Sequence, residues 1–264
     1  MRIVSWNVQR AVADDEVWNV LLQLDPDIAL LQEVRKLPEK LTSGYSVIEH
    51  PYVSKKGKPQ KFKTAIVSKG AIGEEIHLTS EFEWVSKERE FFSGSIVAHE
   101  VTIGEERFNV VSVHSPAWSI DEERLKGVDL AQIKLLSKTH KIWCTEILWS
   151  VLKNSMSINE YPWIVGGDFN SSETFDDTWG SGNKEVMERM NNLGLQECLR
   201  KHNGKLIPTF KNKIGGKVVH QMDHIYVSDY LLNRLSGCNV GDREEIFGNS
   251  LSDHLPITAD FSLS

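Results

Sequence analysis

Trp163-Ile164-Val165-Gly166-Gly167-Asp168-Phe169-Asn170 reads as a short buried strand that runs into two glycines and then presents a carboxylate and an amide. The apolar run is too short for a helix and is bounded by a turn signal. The glycine pair lets backbone or substrate approach closely. If the chain stays extended, Asp168 and Asn170, two residues apart, face the same side. The pattern recurs elsewhere. Asn7 follows Ile3-Val4-Ser5-Trp6, Glu33 follows Ala29-Leu30-Leu31-Gln32, and His114 follows Val110-Val111-Ser112-Val113. Asp223 interrupts a strand before Ile225-Tyr226-Val227, and Asp253-His254 precedes the last apolar run. Oxygen, amide and imidazole groups at so many strand ends point to one shared pocket.

Working outward, apolar runs predict strands over residues 3–8, 28–32, 45–49, 64–67, 95–101, 108–113, 163–165, 218–227 and 257–261. Helical spacing predicts a helix over residues 14–24, stopped by Pro26. Ser119-x-x-Glu122 has the form of a capping box for a long helix running to about Lys153. A third helix is expected over residues 184–193. The stretches 54–63 and 178–182 read as surface loops, and no linker or repeat divides the chain, so one domain over residues 1–264 is expected.

The 264 residues are 40% hydrophobic and carry a net charge of −7, which gives no global attraction to nucleic acid or anionic membrane. Any such attraction must come from a local patch. Cys144, Cys198 and Cys238 are far apart and odd in number, so buried free thiols are expected rather than a disulfide framework or a zinc site. The N-terminus enters a strand pattern at once and no run of 18 apolar residues occurs, so a cytoplasmic location without a membrane span is the default expectation. No obligate protein partner is indicated.

Trp6-Asn7, Gln32-Glu33, Gly166-Gly167-Asp168-Phe169-Asn170, Met222-Asp223-His224 and Ser252-Asp253-His254 together resemble the motif series of the endonuclease/exonuclease/phosphatase superfamily, in the family order and across nearly the whole chain. The resemblance implies an α/β, DNase I-like fold. That fold is a four-layer α/β/β/α sandwich of two mostly antiparallel sheets with helices outside. Periodicity alone does not give it. The resemblance also implies a metal-dependent hydrolase of phosphate esters.

Phosphodiesters repel nucleophiles, so their hydrolysis needs a hard cation, a base for water and donors for developing charge. Glu33 is the best ligand for Mg²⁺, with Mn²⁺ as a possible substitute. Asp253 resembles a second ligand, direct or through water. Asn7 resembles a group that binds a phosphate oxygen or assists the metal. Asp168 resembles the general base, and Asn170 can hold the nucleophile or a phosphate oxygen. His254 resembles the imidazole that hydrogen-bonds the scissile phosphate, with Asp223 fixing its tautomer. The resemblance leaves open whether Asp168 or His254 activates the water. His114 matches a strand-end histidine of the DNase I-like and lipid-directed branches and can donate to the phosphate.

The substrate is less legible. Members that cleave at abasic sites usually carry Tyr where His114 stands and a Trp-rich segment where this chain has Phe210-Lys211-Asn212-Lys213-Ile214-Gly215-Gly216-Lys217. Both departures lower that reading. Lys61 and Lys63, in the cluster from Lys55 onward, could draw a polyanion toward the cleft, and Trp118 could line a substrate pocket. Nucleic acid is the expected substrate. The alternatives are a small or lipid-linked phosphate ester, such as an inositol phosphate or a sphingolipid, and, more remotely, a catalytically silent binding relative. The silent relative should have lost Glu33, Asp168 or His254, and all three are present.

Overall fold

The computed structural model describes residues 1–135, 141–177 and 182–263. Its strands are β1 (Arg2–Asn7), β2 (Ile28–Val34), β3 (Ser46–Val53), β4 (Pro59–Ser68), β5 (Ala71–Glu75), β6 (Ile96–Ile103), β7 (Glu106–His114), β8 (Trp163–Asp168), β9 (Leu195–Glu197), β10 (Phe210–Lys211), β11 (Val218–His220), β12 (Asp223–Ser228), β13 (Leu235–Val240) and β14 (Ile257–Phe261). The α-helices are α1 (Val17–Leu24), α2 (Glu39–Gly44), α3 (Glu83–Phe91), α4 (Cys144–Met156), α5 (Asn183–Asn192), α6 (Cys198–Asn203) and α7 (Asp229–Leu232). Two sheets of six strands form, in the orders β13-β14-β1-β2-β4-β3 and β5-β6-β7-β8-β12-β9, and β10-β11 make a separate ribbon. The pairs β1–β2 and β7–β8 are parallel, and the other pairings are antiparallel.

Burial on both faces explains why the central strands read as continuous apolar runs rather than alternating ones. One residue set lies between the sheets: Ile3, Leu30 and Ile66 of the first pack with Val110, Ile164 and Ile225 of the second. The next residues along turn outward. Val4, Leu31 and Val67 meet Val17, Trp18 and Leu21 of α1, while Val111 and Val165 meet Leu148 and Val151 of α4 and Val186 of α5. The order is helix, sheet, sheet, helix, as the family resemblance implied. Cys144, Cys198 and Cys238 are buried and free, as expected. Among the described residues no helix is long and apolar enough to cross a membrane.

Three expectations need correction. The long helix from Ser119 does not form. Asp121 caps a single 3₁₀ turn, Glu122–Leu125, by accepting from Glu123 N–H, and Gly127 at φ 79° turns the chain away. A second 3₁₀ turn, Leu130–Gln132, follows, and residues 136–140 lie outside the described residues. The capping glutamate is Glu146, which reaches back to Trp143 N–H at 3.2 Å and starts α4. Residues 218–227 are two strands, because Thr209 Oγ1 accepts from the N–H groups of Met222 and Asp223 and pulls the chain from β10 onto β8. Residues 54–63 are not all loop: β3 and β4 continue as a hairpin that turns at residues 54–58. Of the other proposed loop, residues 178–181 lie outside the described residues.

The first glycine of the diagnostic strand lies under Leu30, and the second has no room for a side chain. Gly167 sits at φ 144°, and a Cβ there would overlap the Val113 carbonyl of parallel β7. Gly104 also has a positive φ, 60°, but nothing lies within 4 Å of its Cβ position. Gly167→Ala is therefore expected to cost at least about 3 kcal/mol, overlap added to strain, against about 1 kcal/mol for Gly104→Ala. Urea midpoints would check this. Equal costs would mean that backbone strain alone accounts for Gly167.

Candidate active site

Strand register gathers the polar residues at one end of the sandwich. Asn7 ends β1 beside Gln32, His114 ends β7 beside Asp168, and Asp223 opens β12 opposite the same Asp168. The turn before β14 lies across the end of β1. Ser252 Oγ donates to Asn7 O at 2.7 Å, and Trp6 Nε1 donates to His254 O at 2.9 Å. These bonds fix His254 over β1 although 248 residues separate it from Trp6.

At the centre, Asp168 is buried with three donors around it. Its Oδ1 accepts from Asn170 N–H at 2.9 Å, and its Oδ2 accepts from the side-chain amides of Asn7 at 3.1 Å and Asn170 at 3.3 Å. Asn170 reaches Asp168 through an Asx-type turn at φ 47°, not along an extended strand, which corrects the expected geometry. Its amide also donates to Ser115 O at 2.7 Å. His254 Nδ1 lies 2.9 Å from Asp223 Oδ2, so it donates there and turns Nε2 toward Asp168, 3.8 Å away. Thr209 Oγ1 donates to the same Asp223 oxygen at 2.6 Å. Burial opposes the imidazolium, but Asp223 and Asp168 outweigh it and raise His254 above its ordinary range. Burial raises the Asp168 carboxyl, and the His254 charge pulls it partly back. The pair can therefore share a proton, one as acceptor and one as donor.

Glu33 stands to one side at φ 57°. Its Oε1 is 3.9 Å from His114 Nε2, and its Oε2 accepts from Arg10 Nε at 3.2 Å. Burial, followed by the charge on His254, lowers His114 to about 3, so its imidazole is neutral. The His114 ring packs on Tyr52 at 4.6 Å, Tyr52 stacks on Phe62 at 5.0 Å, and Arg10 lies over Phe62 at 5.2 Å. Arg10, Glu33 and Asn170 all hold left-handed backbone conformations that L-residues seldom adopt, and such strain concentrates at functional sites. Asp253 sits at the rim, 3.3 Å from Lys213.

The structure does not bring every expected residue here. Phe62, not Lys61 or Lys63, faces His114, because alternate residues of β4 turn to opposite sides. Lys63 pairs with Glu49 at 2.7 Å, and Lys61 is exposed. Trp118 packs on Phe92 at 5.8 Å and joins the core under α4. The sequence reading did not single out Arg10, Thr209, Tyr52 or Phe62. The alternation of Pro59–Ser68 could have separated Phe62 from its lysine neighbours.

A cavity of about 420 Å³ adjoins Asn170, with Phe169, Phe210, Met222, Trp143 and His220 among its walls. Among the described residues that line it, none is Asp, Glu, Lys or Arg. The ring of Phe210 lies 4.8 Å from that of His254, which ties the cavity to the polar cluster. A larger hollow, about 680 Å³, opens at the opposite strand ends by Glu106 and Tyr161 and touches none of these groups.

Two face-to-face sheets with an Asp–His–Asp constellation and a nearby glutamate at their strand ends define a phosphoester-hydrolysing enzyme of DNase I-like architecture. The chain belongs to the Endonuclease/Exonuclease/phosphatase family, whose model matches residues 4–254. No curated protein matches it in sequence. Among solved structures it is similar to a 3′-5′ exonuclease from Neisseria meningitidis, at 21% identity and TM-score 0.69, with all of both chains covered. A 3′ phosphatase from Neisseria bound to a product DNA hairpin matches at 21% identity and TM-score 0.70, again over all of both chains. An AP endonuclease from Archaeoglobus fulgidus matches at 20% identity and TM-score 0.68, over all of both chains. At these identities the likeness shows the fold.

Members of the family generally use a divalent metal, and the donor chemistry here suits one. Asp168, Asp223 and His254 offer ligand atoms within 4.8 Å of one another. Within that trio His254 Nδ1 and Asp223 Oδ2 are already joined by a hydrogen bond. Glu33 and Asp253 remain 21% and 16% exposed, and among the described residues their ion-pair partners are Arg10 and His114 for the first and Lys213 for the second. Two accessible carboxylates beside two buried ones favour a hard cation between them and solvent.

Proposed function

We propose that the chain is a divalent-cation-dependent phosphodiesterase acting on nucleic acid. The observation that carries this reading is the joining, through Asn170 and Phe210, of the Asp168–His254–Asp223 cluster to an aromatic-walled cavity whose described lining holds no Asp, Glu, Lys or Arg. A polyphosphorylated ring would need cations in that cavity. A nucleoside needs planar apolar walls and a few amides and hydroxyls.

On this reading Asp168 takes the proton of the attacking water while Asn7 and Asn170 hold its carboxylate in place. His254 donates from Nε2 to the scissile phosphate, and Asp223 fixes the tautomer that makes this possible. Neutral His114 flanks the phosphate as a donor, while both amide hydrogens of Asn170 are engaged by Ser115 O and Asp168 Oδ2. Glu33 and Asp253, assisted by Asn7, would hold Mg²⁺ or Mn²⁺, which would supply positive charge against the developing negative charge on phosphorus oxygens. The buried thiols suit a reducing cytoplasm, the compartment we propose.

Protein treated with EDTA and then given Mg²⁺ or Mn²⁺ would be assayed on single- and double-stranded DNA, RNA, inositol phosphates and bis-p-nitrophenyl phosphate. We expect oligonucleotide cleavage that falls at least about 10³-fold with EDTA and returns with Mg²⁺. Turnover of inositol phosphates without cleavage of any oligonucleotide would reassign the substrate.

A further inference from the structure

We infer that Arg10 is a phosphate-binding residue for a substrate phosphate other than the scissile one, and that a divalent cation at Glu33 is what releases it for that task. The inference rests on the nuclease reading above.

Arg10 follows Asn7 by three residues, in a turn where Gln9 and Arg10 have φ values of 48° and 63°. Gln9 N–H donates to Asn7 Oδ1, and Ala11 O accepts from the N–H groups of Arg35 and Lys36, so the strained turn is tied to both β1 and the end of β2. The fold thus holds two non-glycine residues in a disfavoured conformation, and the outcome is a guanidinium placed beside the catalytic cluster.

Its two contacts differ in kind. One is the ion pair with Glu33 at 3.2 Å, in which the Arg10 side chain is 64% exposed. Water screens such a pair, so it is easily exchanged. The other is the face of Phe62 at 5.2 Å, itself backed by Tyr52 and His114. That contact does not depend on Glu33. A cation drawing on the Glu33 carboxylate weakens the first contact and leaves the second. Arg10 is then a guanidinium positioned by an aromatic platform, open to solvent and lacking a full counter-ion. Its planar fork suits a phosphodiester oxygen pair better than an ammonium would. On a chain of net charge −7, such a local cation matters for holding a polyanion.

Arg10 and the cation therefore compete for Glu33, and Arg10 and the substrate cooperate through the cation. Two measurements on Arg10→Ala and Arg10→Lys, both checked for unchanged melting, test this. In calorimetry with Mn²⁺ alone, Arg10→Ala should bind the ion about three- to five-fold more tightly than wild type. In steady-state cleavage of a 12-nucleotide single-stranded DNA, its KM should rise about ten-fold. The slope of log KM against log salt should fall by about one, and Arg10→Lys should recover part of the loss. Unchanged Mn²⁺ affinity, or an unchanged KM and salt slope while wild type cleaves the oligonucleotide, overturns the inference and leaves the nuclease reading standing. Absence of oligonucleotide cleavage by wild type overturns both.

Discussion

Asp168→Asn is expected to lower kcat on a phosphodiester by at least about 10³-fold, a barrier increase of about 4 kcal/mol, with a change in folding stability of no more than about 2 kcal/mol. The two effects separate because the carboxylate is costly to the fold and needed for the chemistry. Asp168 is 2% exposed, and burial raises its carboxyl, so the fold does not favour its charge. Asparagine keeps the shape and removes that desolvation penalty. It places an amide where Asn7 Nδ2 and Asn170 Nδ2 both donate, which costs part of the gain. What is lost outright is the proton acceptor. A variant keeping more than about a tenth of wild-type kcat would remove Asp168 from the base role and move it to His254.

The strand ends were legible because their signal is local. An apolar run buried on both faces cannot end in Asp, Asn, Glu or His without reason, and each such ending lies in the cluster: Asn7, Glu33, His114, Asp168, Asp223 and Asp253-His254. The stacking of two sheets was not local. It depends on Ile3 and Leu30 meeting Val110 and Ile164, contacts between distant segments, and only the family resemblance implied it. Edge structure was the hardest to read. The β3–β4 hairpin extends into solvent, so lysine and proline replace the apolar signal, and a strand looked like a loop. Errors of side followed: the lysines of β4 drew attention by charge, while Phe62 between them is the residue that faces His114. Arg10 was invisible because its place depends on backbone angles that no composition signal announces.

Asp223→Asn is expected to reduce kcat about 10²- to 10³-fold, and adding it to His254→Asn should cost little beyond His254→Asn alone. The non-additivity follows from how Asp223 is placed. It is fully buried; its Oδ2 faces His254 Nδ1 at 2.9 Å and accepts from Thr209 at 2.6 Å. Asp223 is a positioning residue, and its effect on substrate passes through the imidazole. Asparagine there removes the charge that favours the imidazolium and offers an amide N–H that can reverse the tautomer, leaving Nε2 without its proton. With His254 already gone, neither loss has a route to the phosphate. A residue that only braced the fold would behave otherwise: its penalty would add to that of His254→Asn in kcat, and the double variant would show a matching drop in urea midpoint. Full additivity would separate Asp223 from the catalytic imidazole and assign it to packing around Thr209.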